Sequence, residues 1–528
     1  MKISKKNYSL IIFPIISFIG GIWQAQYTND GYHWGFIFAN ALDLINGKVP
    51  FKEFFIEYGI FSTAIHALSL IIFNKSMISL MIVTCLLYSI SILLIGLITQ
   101  KFILSKYISF FATFIIFALY PWPVSPWPNF VSFFFIILFC YLYTIEDKKF
   151  NYLSGFSLGF AYLSYTTVYN FIIFPFFVIL LIFIIIYLKK IDQNFIKKNI
   201  NCLISFSLTI GIFILYLFYK GLIDIWLLYQ KIPFIYAGAN QMTVFNRLED
   251  YSYFLLIYSF KNFIYEPQNS IFVFIFISNI YLILKILIQS KKFTSTELNL
   301  LTINFLILFL NVYAQLLDID KLATSLSLGV ITLMILINSI KSNENKFFIN
   351  FVILFISLYS LFFAFGLENT KYGGSRAAYY KNLKNIDLTY NDKTITYFAY
   401  QKWDEKSWYV LNSFIKLQNQ IKKRCLLDYG ANLTSNAFYY ILMDYKKIQV
   451  IPFFYKKHGD AYRDIFDKNF LQRLQDKINK NNIIIVSNEN NSKLLDLSTY
   501  DVPKKISMNV NSTNLMRYIY IYYPKECE

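Results

Sequence analysis

Charge is scarce in this sequence. Asp, Glu, Lys and Arg make up only 15% of it, against about 25% in soluble domains. That deficit excludes a disordered chain, a coiled coil and an ordinary soluble enzyme. Glycine is also sparse, 18 of 528 residues, which excludes a collagen-like fibre. There are five cysteines and no CxxC, so neither a zinc site nor a redox pair has its ligand pattern. Cys85, Cys140 and Cys202 sit in apolar runs, where a thiol packs as a small hydrophobe. Cys425 and Cys527 lie in the polar tail and would pair only in an oxidising compartment. No repeat of fixed period is present, and no low-complexity tract beyond richness in Ile, Phe and Leu.

What fills the chain is apolar: 56% hydrophobic and 20% aromatic residues, with a mean hydropathy of +0.46. The net charge is +18. On a soluble protein that would point to nucleic acid. Here the lysines flank apolar runs and read as orientation signals, with no nucleic-acid partner implied. A membrane helix needs about 20 mostly apolar residues. Runs of that kind occupy about 8–24, 77–99, 107–120, 128–144, 170–188, 200–219, 269–289, 298–314, 323–340 and 347–365, and 152–166 is a shorter one rich in small residues. Lys2, Lys5 and Lys6 before the first run resemble a signal peptide, but no small-residue cleavage site follows, so the run reads as an uncleaved span. Gly59–Phe73 is too short and contains His66, which suits an interfacial segment.

Lysine placement orients the bundle. Lys101, Lys106, Lys148, Lys149, Lys189, Lys190, Lys197, Lys198, Lys291, Lys292, Lys341 and Lys346 all fall on one side, and the N-terminal lysines Lys2, Lys5 and Lys6 join them only if 59–73 does not cross. The expectation is therefore a mostly α, polytopic membrane helical bundle of about 11 spans over 1–365, with the N-terminus inside. An outer interfacial loop covers 25–76. A C-terminal extracytoplasmic α/β domain covers 366–528. Within it Cys425–Tyr429, Ile448–Phe453, Asn482–Ser487 and Met516–Tyr523 read as strands, and Ser435–Asp444 and Ala461–Ile478 as helices.

The first outer segment carries the chemical signal. The first span runs out into Asn29-Asp30-Gly31-Tyr32-His33-Trp34, placing the Asp30 carboxylate at the membrane surface, where acids are costly and often functional. Phe36–Ile45 follows, amphipathic enough to lie along the interface with Asp43 on its solvated face. Then come Asn46-Gly47-Lys48-Val49-Pro50-Phe51 and Glu53-Phe54-Phe55-Ile56-Glu57-Tyr58-Gly59.

This order resembles membrane glycosyltransferases of the GT-C fold, which use polyprenyl-phosphate-linked sugars and carry the catalytic acid in their first extracytoplasmic loop. Gly31 stands where protein mannosyltransferases have a second acid, and Ile60 where many relatives have Pro. The tail has no WWDxG-type signature, which argues against an oligosaccharyltransferase. The resemblance implies inversion by a single displacement, with Asp30 as the base. Desolvation at the interface would raise a carboxylate's pKa and suit it to take the acceptor hydroxyl's proton. Glu57 and Glu53 are candidate substrate-binding residues, Glu57 either orienting the acceptor or binding a divalent cation. No cofactor and no fixed metal site is indicated beyond that cation. His33 stands beside the base, although an interfacial His between Tyr32 and Trp34 also suits the aromatic belt. The leaving lipid phosphate calls for cations or N–H donors. Candidates are Lys231, Arg247, and the pair Lys371 and Arg376 around Gly373-Gly374, with Lys48, Lys52 and Lys321 behind them.

Expected partners are therefore a polyprenyl-phosphate-linked sugar, membrane lipids and a glycan, lipid or protein acceptor, at a bacterial cytoplasmic (inner) membrane. Two other functions share part of this pattern. A flippase or transporter of lipid-linked glycans would place charges or broken helices at the bilayer midplane, often in repeated halves. Here the acids gather at the outer edge. A polymerase or ligase of such glycans would rely on basic residues in a large central loop. Three further signals read as structural: the Pro121–Pro128 stretch as a rigid aromatic loop, Tyr165–Asn170 as a break between spans, and Asp318/Asp320 as a solvated turn. Asp428–Asn432 reads as a strand-to-helix turn capped by Ser435.

Overall fold

The computed structural model describes residues 5–26, 33–54, 56, 58–119, 126–230, 261, 268–290, 292–313, 324, 327–340, 342–364, 369–370, 374–375, 384–385, 389–390, 393–394, 396–398, 402–403, 405–424, 427–433, 437–443, 446–449, 472–487, 495–500, 503–507 and 518–525. Helices run from α1 (Ile12–Ala25), α2 (His33–Ile45), α3 (Ile60–Ile72), α4 (Met77–Phe102), α5 (Lys106–Leu119) and α6 (Pro128–Tyr143) to α7 (Lys148–Ser164), α8 (Thr166–Ile186), α9 (Gln193–Tyr219) and α10 (Ile223–Gln230). They continue with α11 (Gln268–Gln289), α12 (Ser295–Tyr313), α13 (Val330–Ser339) and α14 (Asn343–Ala364).

Among the described residues six helical stretches are long and apolar enough to cross a membrane: Tyr8–Ala25, Met77–Phe102, Val168–Ile186, Gln193–Tyr219, Asn269–Gln289 and Asn343–Leu361. The other five expected spans coincide with α5, α6, α7, α12 and α13, whose apolar stretches are shorter. Large apolar side chains stand exposed along one stripe of α8 (Phe171, Phe174, Val178, Leu181, Ile185) and one of α14 (Phe347, Phe351, Leu354, Phe355, Leu358). Such stripes belong against lipid rather than water.

Local chemistry starts the helices where they begin. Pro128 opens α6 at a position where its missing N–H costs nothing. Asp147 caps α7 by accepting the Lys149 N–H at 3.1 Å. Thr294 and Glu297 form a reciprocal cap on α12: Thr294 N–H donates to Glu297 Oε2 at 2.8 Å, and Glu297 N–H to Thr294 Oγ1 at 3.2 Å. Small residues then set the closest packing. Gly155 and Gly159, one turn apart on α7, face Cys202, Ser205 and Thr209 of α9, with no room for a Cβ at either glycine.

Three of the lysine-bearing connections meet at one end of the bundle. Lys101 Nζ donates to Thr144 Oγ1 at 2.8 Å, and Lys198 Nζ reaches both the Tyr143 carbonyl and, at 2.7 Å, Asn299 Oδ1. Lys190 N ζ donates to the Ser290 carbonyl at 3.3 Å. These bonds draw together the connections that carry Lys101, Lys190 and Lys198.

At the opposite end lies the C-terminal domain. Its core is a five-stranded sheet of β1 (Tyr429–Leu433), β2 (Lys446–Gln449), β3 (Ile483–Ser487), β4 (Lys504–Ser507) and β5 (Tyr518–Tyr522), ordered β4-β5-β3-β1-β2. The β2-β1-β3 part is parallel, and β5 and β4 add antiparallel. Every residue of β3 is buried, as a central strand covered on both faces requires. Helices α15 (Glu405–Lys422), α16 (Ala437–Leu442) and α17 (Gln472–Ile478) accompany it.

One reading of the tail needs correction. Tyr429–Leu433 is itself the strand, so Asp428–Asn432 is not a strand-to-helix turn; Asp428 instead accepts the Asn482 N–H at 3.1 Å, tying β1 to β3. The Lys504–Ser507 strand and helix α15 were not anticipated. Ser435, Cys425 and Cys527 lie outside the described residues, as do 461–471 of the expected second helix.

Candidate functional site at the domain-bearing end

The first loop is built around α2. Its end is dictated by glycine: Gly47, with φ +79°, is the left-handed residue that closes the helix. Gly47 N–H donates to the Leu44 carbonyl at 3.1 Å and Lys48 N–H to the Asp43 carbonyl at 3.1 Å. These two bonds make a Schellman stop and throw Lys48 back over the last turn. The chain then turns tightly. Glu53 N–H donates to the Val49 carbonyl at 2.9 Å, and Glu53 Oε2 accepts the Val49 N–H at 2.6 Å. Phe51, at φ +65°, is buried and sits 6.5 Å from the Phe213 ring of α9. A left-handed backbone at a bulky residue is held only where its surroundings enforce it.

Helix α2 does not lie along the interface with one face open. Phe36 to Asp43 are all buried, because α2 is packed between α3 and α16 of the C-terminal domain. Asp43 is accordingly not on a solvated face. It is 2% exposed, and its carboxylate is fully engaged: Oδ1 pairs with Lys48 Nζ at 2.9 Å, and Oδ2 accepts the Tyr440 hydroxyl at 2.6 Å. Lys48 Nζ also donates to Tyr440 Oη at 2.7 Å and lies 5.3 Å from that ring's centre. Burial, then the Asp43 charge, pushes the Tyr440 phenol well above its usual range. The physical reason for the correction is that helical periodicity shows a polar face but not the domain that covers it.

The end of the loop is clamped just as tightly. Gly59 precedes α3 and packs against the backbone at the α7–α8 junction, where Leu163 and Ser164 leave no space for a side chain. Thr166 Oγ1 donates to the Tyr58 carbonyl at 2.9 Å. The Tyr58 ring lies 5.4 Å from Trp127 and 5.4 Å, edge-on, from Tyr165. Beside them Tyr162 donates to Asn170 Oδ1 at 2.7 Å, and Asn170 Nδ2 donates to Gln230 Oε1 at 2.9 Å. The helical break expected at Tyr165 exists: its φ and ψ of −150° and 60° interrupt α7 and α8. Two signals read as structural, the Trp127 end of the Pro-Trp stretch and the Tyr165 break, therefore meet Tyr58-Gly59 of the acidic loop at one place. Helix α3, with 13 residues, rises only about 20 Å and does not reach across a bilayer core of about 30 Å.

Of the expected site residues, Glu53 is exposed, and one of its carboxylate oxygens, Oε2, closes its own turn. His33 begins α2, and its side chain lies outside the described residues. Asp30, Glu57, Lys231, Arg247, Lys371 and Arg376 also lie outside them, as do Asp318, Asp320 and Lys321. Among the described residues no group of three or more His, Cys, Asp or Glu comes together. What the described residues do supply is the frame: the described stretches before Asp30, between it and Glu57, and after Glu57 are each held by packing or hydrogen bonds.

No family model and no curated protein matches this sequence. Solved structures do. Crystal structures of ArnT from Cupriavidus metallidurans, one in the apo state and one bound to undecaprenyl phosphate, each match over 97% of this chain and 97% of that chain. Both give a TM-score of 0.52 at 7% sequence identity. At that identity the likeness is one of fold, and it is the GT-C fold that the loop's resemblance implied.

Proposed function

We propose that this chain is an integral membrane glycosyltransferase that moves a sugar from a polyprenyl-phosphate donor to an extracytoplasmic glycan, lipid or protein acceptor. The observation that carries this reading is the fold shared end to end with ArnT, one of whose structures holds undecaprenyl phosphate. The acidic loop after the first helix supports it from the sequence, as do the two elements packed against its Tyr58-Gly59 end.

In this reading Asp30 takes the proton of the acceptor hydroxyl as its oxygen bonds to the anomeric carbon. The bond from that carbon to the phosphate oxygen breaks in the same displacement, with inversion, and the lipid phosphate leaves as an anion. Lys231, Arg247, Lys371 and Arg376 receive that charge. His33, Glu53 and Glu57 orient the sugars, with Glu57 the residue to hold a divalent cation if one takes part. The packed frame around Tyr58 supplies rigidity, since a misplacement of about 1 Å costs catalysis on the order of 100-fold. The C-terminal domain then lies on the outer face of a bacterial inner membrane.

The test is release of polyprenyl phosphate from a labelled polyprenyl-phosphate sugar by the purified protein in proteoliposomes, with an acceptor extract of envelope glycans. Transfer that depends on the protein supports the reading. Movement of intact donor between leaflets without cleavage would replace it with the flippase reading.

A further inference from the structure

The C-terminal domain grips the first loop at three points in succession. Lys402 N–H donates to the Gln26 carbonyl at 2.7 Å, just past α1. The Tyr397 ring meets Phe38 edge-on at 5.7 Å, midway along α2. Tyr440 then closes a ring of hydrogen bonds with Asp43 and Lys48 at the helix end, although it is 397 positions from Asp43. The third contact is the unusual one. Asp43 is buried and Lys48 partly so; such an ion pair is a poor source of stability, because apolar residues of similar volume often do as well, and its best-attested use is to set register. Here each partner satisfies the other two: the ammonium donates to carboxylate and phenol, and the phenol donates to the carboxylate. Phe at position 440 would fill the same space without holding Lys48 or the turn that leads to Glu53.

We propose that Tyr440 is a positioning residue. Through Asp43 and Lys48 the C-terminal domain holds the first loop in the conformation that transfers sugar, so the domain is part of the catalytic unit rather than an independent acceptor module. The catalytic half of this statement rests on the glycosyltransferase reading; the clasp itself does not.

The experiment uses full-length protein in lipid nanodiscs and the variants Tyr440→Phe, Lys48→Met and Lys48→Arg. Amide hydrogen exchange is followed across 37–54, and transfer from a polyprenyl-phosphate sugar is resolved into kcat and donor KM. Tyr440→Phe and Lys48→Met each speed exchange over 43–54 by about tenfold, the scale set by one hydrogen bond to a charged group, and leave α4 and α6 unchanged. They lower kcat by about tenfold or more while donor KM moves less than about twofold, the pattern of lost transition-state positioning. Lys48→Arg keeps donors to both partners and restores both readouts. Unchanged exchange in Tyr440→Phe and Lys48→Met overturns the clasp. Faster exchange with unaltered kcat overturns its catalytic role. A wild-type protein inert toward every polyprenyl-phosphate sugar sinks the glycosyltransferase reading and, with it, the catalytic half alone.

Discussion

Replacing Gly59 by alanine adds one methyl group at the tightest point of the first loop. Gly59 has φ −171°, extended backbone open to any residue, so strain in the glycine itself plays no part. The cost is steric. The new Cβ would stand 2.5 Å from the Ser164 carbonyl carbon and oxygen, and closer to the Leu163 carbonyl oxygen. These are backbone atoms at the end of α7 and cannot rotate aside. Restoring ordinary contact needs a displacement of about 1 Å, and overpacking of this kind costs about 1–3 kcal/mol. The same displacement moves Tyr58 away from Trp127 and Tyr165, and moves the peptide around Glu57 with it. Gly59→Ala should therefore unfold several degrees below wild type in detergent and transfer sugar on the order of 10- to 100-fold more slowly. Gly211→Ala is the control: nothing lies within 4 Å of a Cβ at Gly211 in α9, and alanine suits a helix better than glycine. If Gly59→Ala proves as stable and active as Gly211→Ala, the first loop is not clamped as described.

Further perturbations follow from the same packing. Gly159→Val should lower membrane-domain stability by about 2–3 kcal/mol or block accumulation, because Thr209 of α9 lies within 3 Å of any Cβ there; wild-type melting would contradict it. His66→Leu should leave the melting temperature equal or higher. The imidazole is fully buried with neither nitrogen hydrogen-bonded among the described residues, and exchanging an unsatisfied polar group for an apolar one is neutral or stabilising. A marked loss of stability would mean that the ring has a partner. Tyr440 sets a pH dependence. Its folded-state pKa is raised above the unfolded value, so its contribution is whole below the ordinary tyrosine pKa near 10 and falls only as pH rises above it. The stability gap between wild type and Tyr440→Phe should stay constant from pH 6 to 9 in thermal melts; a gap that closes within that range would contradict the assignment.

Much of the bundle was legible from apolar runs and lysine placement, because both report directly on the lipid environment. The break at Tyr165 was visible in its polar, aromatic neighbours, and the small residues of 152–166 announced the α7–α9 contact that Gly155 and Gly159 make. Lengths were less legible. Helices α5, α6 and α13 are buried within the bundle and need not reach from one membrane face to the other, whereas the hydropathy of a run does not report its partners. Asp43 was misread for a related reason. Its partner Tyr440 lies in another domain, and α2 exposes to no solvent the face that its periodicity marks as polar. Trp127 and Tyr58 were each noticed, but their meeting depends on the fold of α6, α7 and α8 together. In the tail, the apolar strand Ile483–Ser487 stood out, while Lys504–Ser507 did not, since an edge strand can be as polar as a loop.

Sugar transfer by Asp30→Asn, against wild type and Asp30→Glu, tests the central claim most directly. Each protein is brought to equal abundance in proteoliposomes and given a labelled polyprenyl-phosphate sugar. The account predicts that wild type transfers, that Asp30→Asn loses activity by at least about 100-fold with its melting temperature unchanged, and that Asp30→Glu retains a measurable fraction. Wild-type rates from Asp30→Asn would remove the base from the mechanism and the mechanism from this loop.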